Sequence, residues 1–188
     1  MDENKIKVAG IYTESDSNGI GIRYVVFTQG CPHHCPGCQN PETHDFNGGG
    51  YYVDIDDIVN DVKRNPTLSG VTFSGGDPFM QAKKMAKLAE KLAANGYDIM
   101  VYTGYRYEEL LALANDTNGY MDLLSKSDTL VDGRFIESLK DERLLYRGSS
   151  NQRILDPKRS LEYGMPIEKD LIEHDFMKFQ NKYISYAS

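Results

Sequence analysis

The sequence predicts an α/β protein: an open, partial (β/α) barrel with a mostly parallel sheet and outer helices. Three observations carry this. A strand–loop–helix pattern recurs at least three times, which calls for parallel strands joined by crossover helices. The residues with chemical character sit just after strands, where parallel α/β sheets bind ligands. A chain of 188 residues with four to six strands is too short for a closed eight-fold barrel.

Lys5–Ile11 reads as a short first strand. Ile22–Thr28 (IRYVVFT) is rich in β-branched and aromatic residues and reads as a buried strand. Residues 29–50 are loop-like, with three prolines and the run Gly48-Gly49-Gly50. Asp54 opens a helix whose apolar residues Ile55, Ile58, Val59 and Val62 fall at i, i+3, i+4 and i+7. Asp54 is its N-cap and Pro66 its stop. Gly70–Ser74 is a strand that meets the turn Gly75-Gly76-Asp77-Pro78. A helix follows to about Ala94, with Met85, Ala86, Ala89, Leu92 and Ala93 on one face and Asn95-Gly96 as its stop. Asp98–Tyr102 is a strand ending at Thr103-Gly104. Tyr107–Ala114 is helical, Asp128–Asp132 is a strand ending at Gly133, and Asn151–Leu155 is the last strand.

The core domain is thus expected over residues 1–155. Residues 156–188 form a polar C-terminal extension with Pro157, Gly164 and Pro166, and with short helices expected near Leu171 and Phe179. Packing on the core, binding a partner and partial disorder are all open to it.

Composition narrows the function. Lys and Arg number 21 against 28 Asp and Glu, a formal charge of −7. General nucleic-acid binding, which needs a basic surface, is disfavoured. Hydrophobic residues make up 40% and charged residues 26%, the balance of a globular protein. No apolar run approaches the ~18 residues of a membrane helix, and MDENKIKVAG lacks the apolar stretch of a secretory signal. A cytoplasmic protein is therefore expected.

The three cysteines, Cys31, Cys35 and Cys38, lie within eight residues in the spacing C-x3-C-x2-C. An odd number packed this tightly is a metal or cluster site rather than a disulfide framework. Three thiolates can ligate three corners of a cubane iron–sulfur cluster and leave one iron open. A closed Cys3His zinc site is the alternative, with His33, His34 or His44 as the fourth ligand. A zinc knuckle, however, has no need of Ser74-Gly75-Gly76-Asp77 after another strand. There, glycines bring backbone groups close to a ligand with no Cβ in the way, and Asp77 adds a carboxylate. Arg134, Arg147 and Arg153 have surface salt bridges as their ordinary reading, and Met85 and Met100 read as core fillers.

At these residues the sequence resembles the radical S-adenosylmethionine enzymes. Within them it is most similar to the activating proteins of anaerobic ribonucleoside-triphosphate reductases. The matching stretches are NGIGIR (18–23), FTQGCPHHCPGCQNPETH (27–44), FSGGDPF (73–79), VYTGY (101–105), LVDGRF (130–135) and YRGSSNQR (146–153). Ile20 stands where the family usually has proline, and the tail lies outside the match. The resemblance implies a partial barrel of the radical S-adenosylmethionine type and a [4Fe–4S] cluster on Cys31, Cys35 and Cys38. It also implies S-adenosyl-L-methionine chelated to the open iron. Gly37, Cys38 and Gln39 would lie along that cofactor. The Gly75-Gly76-Asp77 turn, which matches a Gly-Gly-Glu motif, would hold its amino group. Thr103, Gly104 and Asp132 would be near it, and Arg134 would suit its carboxylate.

The implied reaction is one-electron cleavage of the sulfonium, followed by hydrogen abstraction from a glycine of the large catalytic subunit of the anaerobic ribonucleotide reductase. A one-electron donor such as a flavodoxin is implied, and a homodimer is compatible. No cysteine is left for a second cluster. The competing functions are a small radical enzyme acting on a free metabolite and a structural zinc-binding module.

Overall fold

A computed structural model describes residues 3–171. Its strands are β1 (Lys5–Ser15), β2 (Arg23–Thr28), β3 (Tyr51–Asp54), β4 (Gly70–Gly75), β5 (Asp98–Tyr102), β6 (Thr129–Asp132) and β7 (Arg153–Leu155). Its helices are α1 (Ile55–Arg64), α2 (Ala82–Ala93), α3 (Tyr107–Leu113), α4 (Tyr120–Lys126) and α5 (Pro157–Tyr163). One sheet runs in the order β3-β1-β2-β4-β5-β6-β7 and does not close. β2, β4, β5 and β6 are parallel. β1 and β3 extend one side antiparallel, and β7 extends the other. The expected open, mostly parallel architecture is present, with seven strands rather than four to six.

The additional strand is β3. Its four residues pair Asp54 with Lys5 and Tyr51 with Val8, along the free edge of a β1 that runs four residues past its expected end at Ile11. α4 and α5, of seven residues each, add to the helices expected from the sequence.

The strands alternate between two environments, as their period of two requires. Tyr24, Val26, Val71, Phe73, Ile99, Val101 and Leu130 join the helix-covered core. The residues between them, among them Phe27, Thr72, Ser74 and Tyr102, belong to the opposite face. In α1, Ile55, Ile58, Val59 and Val62 are buried, and the Asp54 side chain accepts from Asp56 N–H at the N-terminus. In α2 the buried stripe is Met85, Ala86, Leu88, Ala89 and Leu92. Ala93, expected on that face, is exposed, and Leu88 is buried instead. Met100 is buried as a filler, like Met85.

Arg23 plugs the amino-terminal end of the parallel strands. Its guanidinium donates to Thr72 Oγ1 at 2.6 Å, Val71 O at 2.8 Å and Asp98 O at 3.0 Å, and pairs with Asp98 Oδ1 at 3.0 Å. The arginine side chain is 2% exposed and the aspartate 9%, so the charges satisfy each other away from water.

Past Leu155, Asp156 caps α5 by accepting from Arg159 N–H, and α5 packs against α4. Backbone bonds Asp156 N–H to Ile167 O and Lys169 N–H to Ile154 O lay residues 167–169 along β7. Of the helix expected near Leu171 only Leu171 is described, and the one near Phe179 lies outside the described residues. Among the described residues no helix is long and apolar enough to cross a membrane.

Candidate active site

The cysteine loop leaves the carboxyl end of β2 and closes on itself. Gly30 N–H donates to Thr43 O at 2.8 Å and Cys31 N–H to His44 O at 3.2 Å, so residues 30–44 are pinned at their base. Cys38 N–H donates to Cys35 O, which makes the turn between the last two cysteines. His34, at φ 46°, holds a left-handed conformation that a non-glycine residue adopts only when its surroundings impose it.

The Gly75-Gly76-Asp77 turn is stitched to this loop. Gly76 N–H donates to Thr28 O at 2.7 Å and Asp77 N–H to Gly30 O at 2.9 Å. A Cβ on Gly76 would come within 2.4 Å of Gly30 O. Glycine is therefore required here by the approach of two backbones, before any ligand is considered.

A cavity of about 480 Å³ opens over these strand ends. Cys31, Cys35 and Cys38 line it together with Gln39, Gly75, Gly76 and Thr103. Burial pushes the Cys31 thiol up to about 11, against a backbone hydrogen bond from His33 N–H that lowers it. Burial also raises Cys35, against a bond from Phe135 N–H. Cys38 Sγ accepts from Asn40 N–H at 3.4 Å.

Gly37, Asp77, Asp132 and Arg134 do not line the cavity. Gly37 faces the Glu137 side chain. Asp77 is fully buried and its carboxylate turns inward. Oδ1 accepts from Phe79 N–H at 3.0 Å, while Oδ2 lies 2.8 Å from His33 Nε2 and accepts from Thr103 Oγ1 at 2.8 Å and Gly104 N–H at 3.0 Å. Asp132 is committed to Tyr107 N–H at 2.7 Å and to Arg153. Arg134 is exposed, and its carbonyl accepts from Asn151. Arg153 is no ordinary surface bridge: it pairs with buried Asp132 and with Glu108.

Residues that sequence reasoning left without a site role also line the cavity: Tyr12, Phe27, Tyr102, Tyr146 and Arg147. Alternation along β2 and β5 puts Phe27 and Tyr102 on that face, a signal available once the helix-covered face was known. Tyr146 and Arg147 belong to the matched stretch YRGSSNQR, where nothing local separates a cavity residue from a solvated one.

The three thiols meet at one cavity, and a cubane cluster takes each thiolate at a different metal atom, so this donor set fits one. His33, a candidate fourth zinc ligand, has its Nε2 engaged by Asp77.

A model of the 4Fe-4S single cluster domain matches residues 17–155. The anaerobic ribonucleoside-triphosphate reductase-activating protein of Escherichia coli (strain K12) is 39% identical over 142 residues, covering 72% of this chain and 88% of that protein. The pyruvate formate-lyase-activating enzyme of Staphylococcus epidermidis is 32% identical over 154 residues, covering 77% of this chain and 58% of that enzyme. Among solved structures, QueE from Escherichia coli superposes with a TM-score of 0.45 at 17% identity, over 53% of this chain and 52% of that one.

Proposed function

The chain belongs to the family of anaerobic ribonucleoside-triphosphate reductase-activating proteins and carries their 4Fe-4S single cluster domain, and from that premise we propose that it is a glycyl-radical activase using S-adenosyl-L-methionine. The observation that carries the reading is the cavity itself: three thiols share its lining with a glycine turn at the carboxyl ends of parallel strands.

Cys31, Cys35 and Cys38 would hold the [4Fe–4S] cluster, with the Asn40 N–H stabilising charge on the Cys38 sulfur. Gln39, Gly75, Gly76 and Thr103, which share the cavity lining with the three thiols, would line the bound S-adenosyl-L-methionine. When bound, cluster and cofactor together supply one-electron reductive cleavage of a sulfonium to an oxidising carbon radical. The protein's part is placement and exclusion of water. Tyr12 packs edge-on to Phe27 with centroids 4.8 Å apart, and with Tyr102 these rings give the cavity an apolar wall. The sheet does not close, which leaves room for a glycine-bearing loop of the reductase's large subunit to enter. A flavodoxin-type protein would supply the electron.

The test is anaerobic reconstitution with iron and sulfide, followed by assay of 5′-deoxyadenosine with and without the large reductase subunit. Cluster absorbance, cleavage of S-adenosyl-L-methionine and a glycyl radical signal in the subunit are expected. A colourless protein holding one zinc, or turnover of a small molecule without a protein partner, would overturn the reading.

A further inference from the structure

Arg147 lines the cavity and has no part in the reading above. Among the described residues lining it, Arg147 is the only Lys or Arg, and no carboxylate lines it. Its guanidinium donates to Gln152 O at 3.1 Å, yet its Nε is buried with no hydrogen-bond partner. A buried N–H without an acceptor has lost its water and gained nothing in return, the more costly when the group is charged, so such groups call for an explanation.

The segment that presents it is built for the purpose. Tyr146, which also lines the cavity, is held at φ 54°, a left-handed conformation that persists only where the surroundings fix it. Gln152 clamps the turn: its Oε1 accepts from Gly148 N–H at 2.8 Å and Ser149 N–H at 3.2 Å, while its Nε2 donates to Gly133 O at 3.0 Å. Strain and clamp together hold a guanidinium in a cavity whose lining has no carboxylate to pair with it, so a carboxylate partner would arrive with a ligand.

We propose that Arg147, rather than Arg134, receives the carboxylate of the S-adenosyl-L-methionine methionyl group. This deepens the proposed function and rests on it. Arg134 is exposed and outside the lining, whereas Arg147 brings to it a guanidinium whose Nε has no partner, and a guanidinium matches a carboxylate in geometry and charge.

The experiment measures binding of S-adenosyl-L-methionine and of its decarboxylated analogue, S-adenosylmethioninamine, to the cluster-loaded full chain, wild type and Arg147→Gln. The wild type should prefer the carboxylate-bearing compound. Arg147→Gln should weaken it roughly 10- to 100-fold and leave the analogue's affinity unchanged, with cluster absorbance retained. Arg147→Lys should recover part of the loss. If wild type discriminates between the compounds and Arg147→Gln discriminates equally well, the assignment is overturned. It is overturned as well if the variant loses only affinity for the reductase subunit, or loses the cluster. If wild-type protein binds neither compound, the proposed function itself fails first, which separates the two failures.

Discussion

Nε2 of His33 lies 2.8 Å from Oδ2 of Asp77, joining the cysteine loop after β2 to the glycine turn after β4. The same oxygen accepts from Thr103 Oγ1 and Gly104 N–H at the end of β5. One carboxylate oxygen thus ties three neighbouring strand ends together, while Oδ1 caps the 3-10 turn at Phe79. Asp77 is accordingly a positioning residue, and its short side chain suits that role: it remains against its own turn.

Asp77→Asn keeps the volume but removes the charge and half the acceptor capacity from a fully buried group. The expected cost is about 2–4 kcal/mol, read as a lower urea midpoint of the metal-free protein, with lower iron retention after reconstitution. Wild-type values for both would show that the three strand ends do not depend on this carboxylate.

Gly104→Ala should be destabilising, because a Cβ there would come within 2.2 Å of His33 Cδ2. That ring is pinned by Asp77 and by an edge contact with Tyr105 at 4.4 Å, so it cannot swing away cheaply. The double variant His33→Ala/Gly104→Ala should be more stable than the sum of the single losses implies, with a coupling of at least ~0.5 kcal/mol. Strict additivity in urea denaturation would sink the claim.

Cys35→Ala should abolish cluster absorbance and S-adenosyl-L-methionine cleavage, since two remaining thiols cannot hold a three-cornered site. The metal-free variant should fold with wild-type far-UV circular dichroism, because Cys35 is only half-buried. An intact cluster in this variant would remove Cys35 from the ligand set.

Asp98→Asn leaves the buried Arg23 guanidinium without its charge partner. A loss of about 3–5 kcal/mol is expected, measured by denaturant unfolding. An Arg23→Met/Asp98→Leu pair should recover much of it, because the cost lies in the unpaired charge.

Arg153 beside Glu108 holds that carboxyl down at about 2, from an ordinary value of 4.5. A depressed carboxyl stabilises above its unfolded value and loses that contribution as pH falls through its folded one. Glu108→Gln should therefore destabilise by no more than ~1 kcal/mol at neutral pH, because the pair is partly solvated. The difference from wild type should shrink as pH falls below 4.5 toward 2. A constant difference across that window would mean that the pair contributes through packing alone.

Much of this protein is legible in one dimension. The run Cys31–Cys38 carries its ligand chemistry locally, since three thiols within eight residues need no distant partner to declare a metal or cluster site. The stripe Ile55, Ile58, Val59, Val62 and the strand–turn boundaries at Thr28, Ser74 and Tyr102 follow from periodicity and turn chemistry, which are properties of neighbouring residues. What the tertiary structure alone decided is which side chains turn toward the cavity. Asp77 and Asp132 look like site acids in sequence, yet one is consumed by His33 and Thr103 and the other by Arg153, partners 21 to 44 residues away in the chain. Arg134 and Arg147 are alike as residues. Only the clamp of Gln152 and the left-handed Tyr146 bring the second to the cavity lining. A residue's type sets what it can bind, whereas its availability depends on which neighbours have already satisfied it, and those neighbours are assembled by the fold.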